Sequence, residues 1–456
     1  MEKTLDRIKE LLVNKKYKEA YEVFSNGNSS LLNTVQELNL YGICVRGLGR
    51  PHHSIKAYVK SLSINSRQAG IWTNLGNSYK DINKLESSIE CHQIANELTN
   101  GKDALILHNL GIAYCANNNH LQAIDSYEKA LAVAPNKKEI YWDIARSQLA
   151  LFDYKNGWKN YKARWTSPEA GQNKYEANYW NGEQLKDKKI FVFCDQGFGD
   201  YIQCFRFIDN LIKESPAKIY LEVKKELVDL ISQTIVDDAI IELLPYSTEK
   251  QQVVYDYAIA ITDLPVIYAK NYKAISSKFP YLISNKNSNI KEDIFPNKKI
   301  KIGMVWTGSL TFKRNLQRSP DIRYFLENLN LPQVQLYSLQ KGEKVVELEK
   351  FKSEVIDLDP YLSNYSDTAN HIEELDIVVS MCTSVVHLCG ALNKECWVAL
   401  DYSSHWLWGV DEKRTHWYPS IQLFKQKSPG DWNGVFDNIQ SELIKKIHNK
   451  INDENI

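Results

Sequence analysis

Four short stretches set a carboxylate, hydroxyls, cations and glycines where a folded chain could bind a phosphorylated ligand. The first is Asp195-Gln196-Gly197-Phe198-Gly199-Asp200-Tyr201-Ile202-Gln203. Its two glycines permit a tight turn and a close approach of a ligand to the backbone. Asp200 falls at the expected start of a helix, where the dipole favours its charged form and makes it a natural cap. Capping alone would explain it. The glycine spacing is not G-x-G-x-x-G, so a dinucleotide is not indicated. The second stretch, Trp306-Thr307-Gly308-Ser309, leads into a run holding Lys313, Arg314 and Arg318. Small hydroxyls beside three cations suit a diphosphate, and a solvated basic loop is the plain alternative. Ser338-Leu339-Gln340-Lys341-Gly342 is a third, shorter stretch with a cation and a glycine. The fourth runs from Ser380 to Gly390. There Thr383 or Ser384 would cap a helix whose free N–H groups attract an anion, with His387 one turn in. A histidine on an apolar helix can equally be a core residue.

All four stretches follow apolar runs that read as strands. Strands are expected at 189–194, 218–223, 239–244 and 257–261, with a helix from about Asp200 to Ile212. A second series is expected at 301–306, 335–339, 354–356, 376–380 and 396–400. Continuous apolar strands separated by helices mean parallel sheets covered on both faces. The two blocks, 186–285 and 299–445, predict two Rossmann-like domains with ligands at the carboxyl ends of their strands. Polar segments at 166–179 and 286–298 read as linkers. Asp357-Leu358-Asp359 has the D-x-D spacing of a metal-bound diphosphate site but an apolar strand-end context.

The front third repeats. Leu75-Gly76 with Tyr79 returns as Leu110-Gly111 with Tyr114, and Gly42 stands one period earlier. Second helices repeat as Ser54/Tyr58/Ser61, Ser88/His92/Ala95 and Ala123/Tyr127/Ala130. Ala20 and Phe24 suit a degenerate first unit, and Ala145, Gly157, Tyr161 and Arg164 a last one. A period of about 34 residues is that of tetratricopeptide helix pairs. The pattern resembles a tetratricopeptide solenoid of about five units over residues 1–168. Its concave face could grip an extended polypeptide, with Asn74, Asn77, Asn109 and Asn117 as candidate contacts. A spacer, or a surface pairing copies of the chain into a homo-oligomer, is the alternative.

Composition narrows the function classes. Among 456 residues, 56 Lys and Arg balance 56 Asp and Glu, so the net charge is zero. That argues against a nucleic-acid or polybasic membrane binder. The eight Cys include no C-x-x-C pair and no zinc-ligand spacing, as in a reduced cytoplasmic protein. The first residues lack the apolar stretch of a signal peptide, and the run Leu375–Leu392 is too interrupted for a transmembrane segment.

Five motifs in order carry a resemblance that spans nearly the whole chain: QGFGDYIQCFRF, WTGS with its basic loop, SLQKG, TSVVHLCGAL and HWYPSIQLFKQKSPGDW. The chain resembles bacterial tetratricopeptide proteins that carry a domain similar to ADP-heptose:lipopolysaccharide heptosyltransferases. These share the GT-B architecture of the tetratricopeptide O-linked N-acetylglucosamine transferases. The resemblance implies an α-helical solenoid (1–168) followed by an α/β GT-B glycosyltransferase. Its acceptor-side Rossmann-like domain would span 169–285 and its nucleotide-sugar-binding domain 299–445. It implies inverting transfer of a sugar from a nucleotide-sugar co-substrate, without a metal ion or other cofactor. Asp200 would be the general base, flanked by an acceptor-side loop of Gln196, Gly197, Gly199 and Gln203. Thr307, Gly308, Arg318, Gln340, Lys341, Thr383, Ser384 and His387 would hold the donor. A protein or peptide acceptor, selected by the repeats, is the expected partner.

The chain departs from the family at Cys382, where relatives commonly carry Asp, and at Ala258, where many carry His. The missing Asp supports a rival reading: a tetratricopeptide binding scaffold whose back region keeps its fold without turnover. A second rival keeps the transferase and makes the acceptor a lipopolysaccharide-type glycan.

Overall fold

The computed structural model describes residues 2–26, 32–166, 178–235, 239–275, 278–285, 299–312 and 314–454, with residues 173, 175, 294 and 295. Most of the two expected linkers and Lys313 lie outside them. The chain forms two compact units, Met1–Gln148 and Leu149–Ile456.

The first unit is helical: α1 (Glu2–Val13), α2 (Tyr17–Asn26), α3 (Val35–Gly47), α4 (Pro51–Ile64), α5 (Ala69–Asp81), α6 (Leu85–Leu98), α7 (Ala104–Ala116), α8 (His120–Val133) and the start of α9 (Ile140–Ala150). Local chemistry sets the helix starts. Thr34 and Glu37 form a reciprocal capping box on α3, Pro51 opens α4, and Asp103 accepts from the N–H groups of Leu105 and Ile106 on α7. Left-handed backbone recurs at Lys15, Gly49, Asn83, Asn118 and Phe152, with φ of 57°, 72°, 59°, 59° and 59°. These positions, 34 or 35 residues apart, turn each first helix into its second.

Within the pairs α3–α4, α5–α6 and α7–α8 a glycine takes a ring from the facing helix. A Cβ on Gly42 would lie 2.3 Å from the Tyr58 ring, on Gly76 2.9 Å from His92, and on Gly111 2.4 Å from Tyr127. No side chain fits at these crossings. His92 therefore occupies the place of a tyrosine. It is fully buried and neither ring nitrogen has a partner. Burial pushes its pKa down to about 4 from an ordinary 6.5. A depressed histidine stabilises the fold fully above pH 6.5 and loses that contribution as pH falls toward 4. The expected cost to the helical unit between pH 7 and 4.5 is about 2–3 kcal/mol. Urea midpoints at the two pH values should show it, and His92→Tyr should abolish most of the difference.

The second unit begins with α10 (Tyr154–Tyr161) and holds two sheets. The first contains β1 (Lys189–Phe193), β2 (Lys218–Val223), β3 (Ile241–Pro245) and β4 (Tyr257–Ala260), parallel in the order β3-β2-β1-β4. Its helices are α11 (Phe198–Phe205), α12 (Ile208–Lys213), α13 (Val228–Thr234) and α14 (Leu264–Tyr268). The second sheet has β5 (Ile300–Val305), β6 (Val334–Ser338), β7 (Val355–Asp357), β8 (Ile377–Met381), β9 (Cys396–Leu400), β10 (Arg414–Thr415) and β11 (Tyr418–Lys425). Their order is β10-β11-β9-β8-β5-β6-β7, parallel except for β10. Around it lie α15 (Asn315–Arg318), α16 (Ile322–Leu329), α17 (Tyr365–Glu373), α18 (Ser384–Ala391) and α19 (Trp432–Glu454). Trp306, Phe325, Trp397 and Phe436 anchor the core between α16, α19 and this sheet.

Two expectations change. The helix from Asp200 is two helices, broken at Arg206 and Phe207. There Arg206 is buried, donating to Trp417 O (2.7 Å) and Tyr281 Oη (3.0 Å). Gly197, not Asp200, is the cap of α11. The coarse architecture is a tetratricopeptide-like helical region followed by a distinct sheet-containing α/β region. Among the described residues, no helix is long and apolar enough to cross a membrane.

Candidate functional site

The loop after β1 is held from three sides. Cys194 N donates to Glu222 Oε2 (2.9 Å), and Lys224 Nζ donates to Gln196 O (2.6 Å). Beneath the loop, buried Arg164 bridges Asp195 (2.6 Å) and Asp263 (3.0 Å). Thr262 adds a hydrogen bond to Asp195 at 2.6 Å, and Trp165 and Tyr179 donate to Asp263. Burial opposes the charge on Arg164, but Asp263 and Asp195 outweigh it and raise its pKa. Asp195 Oδ1 is buried without a partner.

Asp200 stands in the first turn of α11, where the N–H of Gly197 supports its carboxylate. Burial first, and Asp195 second, raise its pKa to about 6 against that hydrogen bond and Arg164. Asp200 therefore titrates near neutrality and can hold or release a proton. Gly197 is exposed and Gln196 partly so, while Gln203 is buried in the body of α11 rather than in the loop. Gly199 marks the contact between the two sheets' helices: a Cβ there would lie 2.8 Å from His387 on α18.

Most groups expected to hold a ligand on the second sheet are spent inside the protein. Gln340 Oε1 accepts from Trp306 N (3.2 Å) and Thr307 N (3.1 Å), and its amide donates to Lys341 O. Thr307 Oγ1 meets Ser319 Oγ (3.2 Å) and Asn315 Nδ2 (3.0 Å). Lys341 pairs with Asp359 at 2.6 Å, so neither is poised for a diphosphate or metal. Ser384 Oγ accepts from Tyr365 (2.7 Å), and His387 Nδ1 contacts Tyr418 Oη (2.8 Å). Burial lowers the His387 pKa to about 3, so its ring is neutral. Thr383 is the cap of α18, but its side chain makes no capping bond; it meets Ser380 Oγ at 3.1 Å.

Arg318 is different. It packs against Gly308, where a Cβ would lie 2.6 Å from its Nη2, and lies 4.2 Å from the Phe312 ring centroid. Burial lowers its pKa, opposed by Cys382, Asp401 and Asp200 nearby. Arg318 and Asp200 thus sit close enough to feel each other across the two sheets' helices, and both are only partly buried. Arg314, one of the three cations expected for a diphosphate, instead pairs with Asp401 (2.6 Å), and sequence reasoning missed both Asp401 and Trp408, which donates to Cys382 Sγ (3.2 Å). These partners lie 87 and 26 residues apart, and no local pattern signals them. Among the described residues, no group of three or more His, Cys, Asp or Glu is placed to hold a metal ion.

Residues 104–137 match the tetratricopeptide repeat family model. Across 93% of its length the chain is 21% identical to protein FlbA of Caulobacter vibrioides, of which the match covers 75%. Among solved structures it is similar to MamA (21% identity, 35% of this chain, 93% of that chain, TM-score 0.32). It is also similar to a thermophilic tetratricopeptide protein of Thermus thermophilus (18%, 37% and 92%, TM-score 0.32).

These findings correct the sugar-transfer assignment. The family model matched is a repeat, and FlbA is not described as a glycosyltransferase. The heptosyltransferase-like identity, the nucleotide-sugar chemistry and the enzyme class are therefore withdrawn. With them goes the assignment of Asp200 as general base of a transfer reaction.

Proposed function

We propose that this protein is a non-catalytic tetratricopeptide scaffold whose helical array binds an extended polypeptide. The observation that carries this reading is the pair of unspent amides on α5. Asn74 and Asn77 are both partly exposed, and their side chains have no hydrogen bond among the described residues. A free carboxamide offers donors and an acceptor, the complement of a peptide unit. By contrast, the Asn109 amide already donates to Leu105 O (2.8 Å). The internal commitments of Gln340, Lys341, Ser384 and His387 agree with a back region that does not turn over a substrate.

We read that back region as two Rossmann-like domains, 169–285 and 299–445, behind a repeat array over 1–168. Asp200 and Arg318, which interact electrostatically across the two sheets' helices, serve binding or stability there. The eight free thiols suit a reducing, cytoplasmic setting.

Selection of random peptides displayed on phage, against the full chain, tests the proposal. Wild type is expected to enrich a family of extended peptides. The Asn74→Ala/Asn77→Ala variant should bind them about 5- to 30-fold more weakly, the equivalent of one or two hydrogen bonds. Equal affinity in the two proteins would remove the amides from the reading. Self-association blocked by the same substitutions would replace the peptide with a second copy of the chain.

A further inference from the structure

A polar hollow of about 410 Å³ lies at the amino ends of β9 and β11, lined by Asn393, Glu395, Trp397, Arg414, Ser420 and Gln422. The post-strand loops described above sit at the other end of these strands. The floor spans three neighbouring strands, because Gln422 is in register with Trp397 on one side and Arg414 on the other. Adjacent strands are about 5 Å apart, so the three side chains stand in a row.

One wall is internally balanced. Glu395 accepts from Trp397 Nε1 (3.0 Å) and from Lys446 Nζ (2.6 Å). The opposite side is not balanced. Arg414 is exposed, has no acidic partner among the described residues, and makes one long contact, to Pro419 O at 3.4 Å. Between them, the Gln422 and Asn393 amides have no hydrogen bond among the described residues. A guanidinium is a planar fork that matches a carboxylate, and the two amides can pair with hydroxyl or amide groups. One unpaired cation balances one negative charge, and with Glu395 already neutralised by Lys446 no second cation is left for a dianion.

We propose that this hollow binds a small monoanionic carboxylate that also carries hydroxyl or amide groups. Titration calorimetry of the full chain with gluconate and N-acetylglycine tests it, with glucose and inorganic phosphate as counterparts. At least one of the two carboxylates should bind and glucose should not. Arg414→Gln should weaken that binding at least about tenfold, as expected for loss of a charge-assisted hydrogen bond, and Gln422→Leu should weaken it too. Arg414 is exposed, so its replacement leaves the fold intact. Binding of neither carboxylate, phosphate binding as tightly, or unchanged affinity in Arg414→Gln would each overturn the proposal.

Discussion

Replacing Tyr127 by alanine is expected to destabilise the helical unit by about 3–5 kcal/mol. The Tyr127 ring is 1% exposed and fills the space left by Gly111, and it also meets the His108 ring at 5.6 Å. Truncation removes the contact that lets α7 and α8 cross closely, and a glycine on the facing helix cannot fill the void. Tyr127→Phe keeps the ring and should cost less than about 1.5 kcal/mol. Urea unfolding followed by circular dichroism separates the two variants. A Tyr127→Ala midpoint equal to that of the Phe variant would show that the crossing does not depend on the ring.

The second large effect is expected at Arg164. Its guanidinium is 2% exposed between Asp195 and Asp263, themselves 3% and 1% exposed. Arg164→Ala leaves two buried carboxylates without their cation, and breaking such a pair costs about 3–5 kcal/mol. The sign with pH follows. Burial already raises the Asp195 pKa against Arg164, and without that cation its carboxyl favours the folded state when protonated and opposes it once ionised. The destabilisation should therefore be large at pH 7 and smaller at pH 4.5. A loss that is equal at both pH values would mean that packing, not charge, makes Arg164 necessary. Asp200, also raised to about 6, and His387, lowered to about 3, act in opposite directions over this range and largely offset each other.

Much of this architecture was legible in the sequence. The 34-residue recurrence of Gly42, Gly76 and Gly111 against Tyr58, His92 and Tyr127 is a packing rule written in residue size. Nine of the ten parallel strands among the described residues appear within about two residues of their expected limits, because buried strands are continuous apolar runs. β10 and β11 were missed: one has two residues, and the other carries Pro419 and Ser420 near its start, which read as a turn. The site was harder to read. Cations and hydroxyls after strands signalled ligand contacts, but Lys341 finds Asp359 and Ser384 finds Tyr365, and such consumption depends on loop paths that residue types do not encode. The resemblance carried the same weakness. Five motifs matched in order described a sheet framework, whereas the family model that matches covers residues 104–137, within the repeats.

Hydrogen–deuterium exchange of the full chain, with and without a peptide selected by display, tests the scaffold reading most directly. Protection is predicted on α5 and α7, with exchange in the post-strand loops at 194–200, 306–318 and 380–387 unchanged. Protection confined to those loops, with the helical array unaffected, would contradict it.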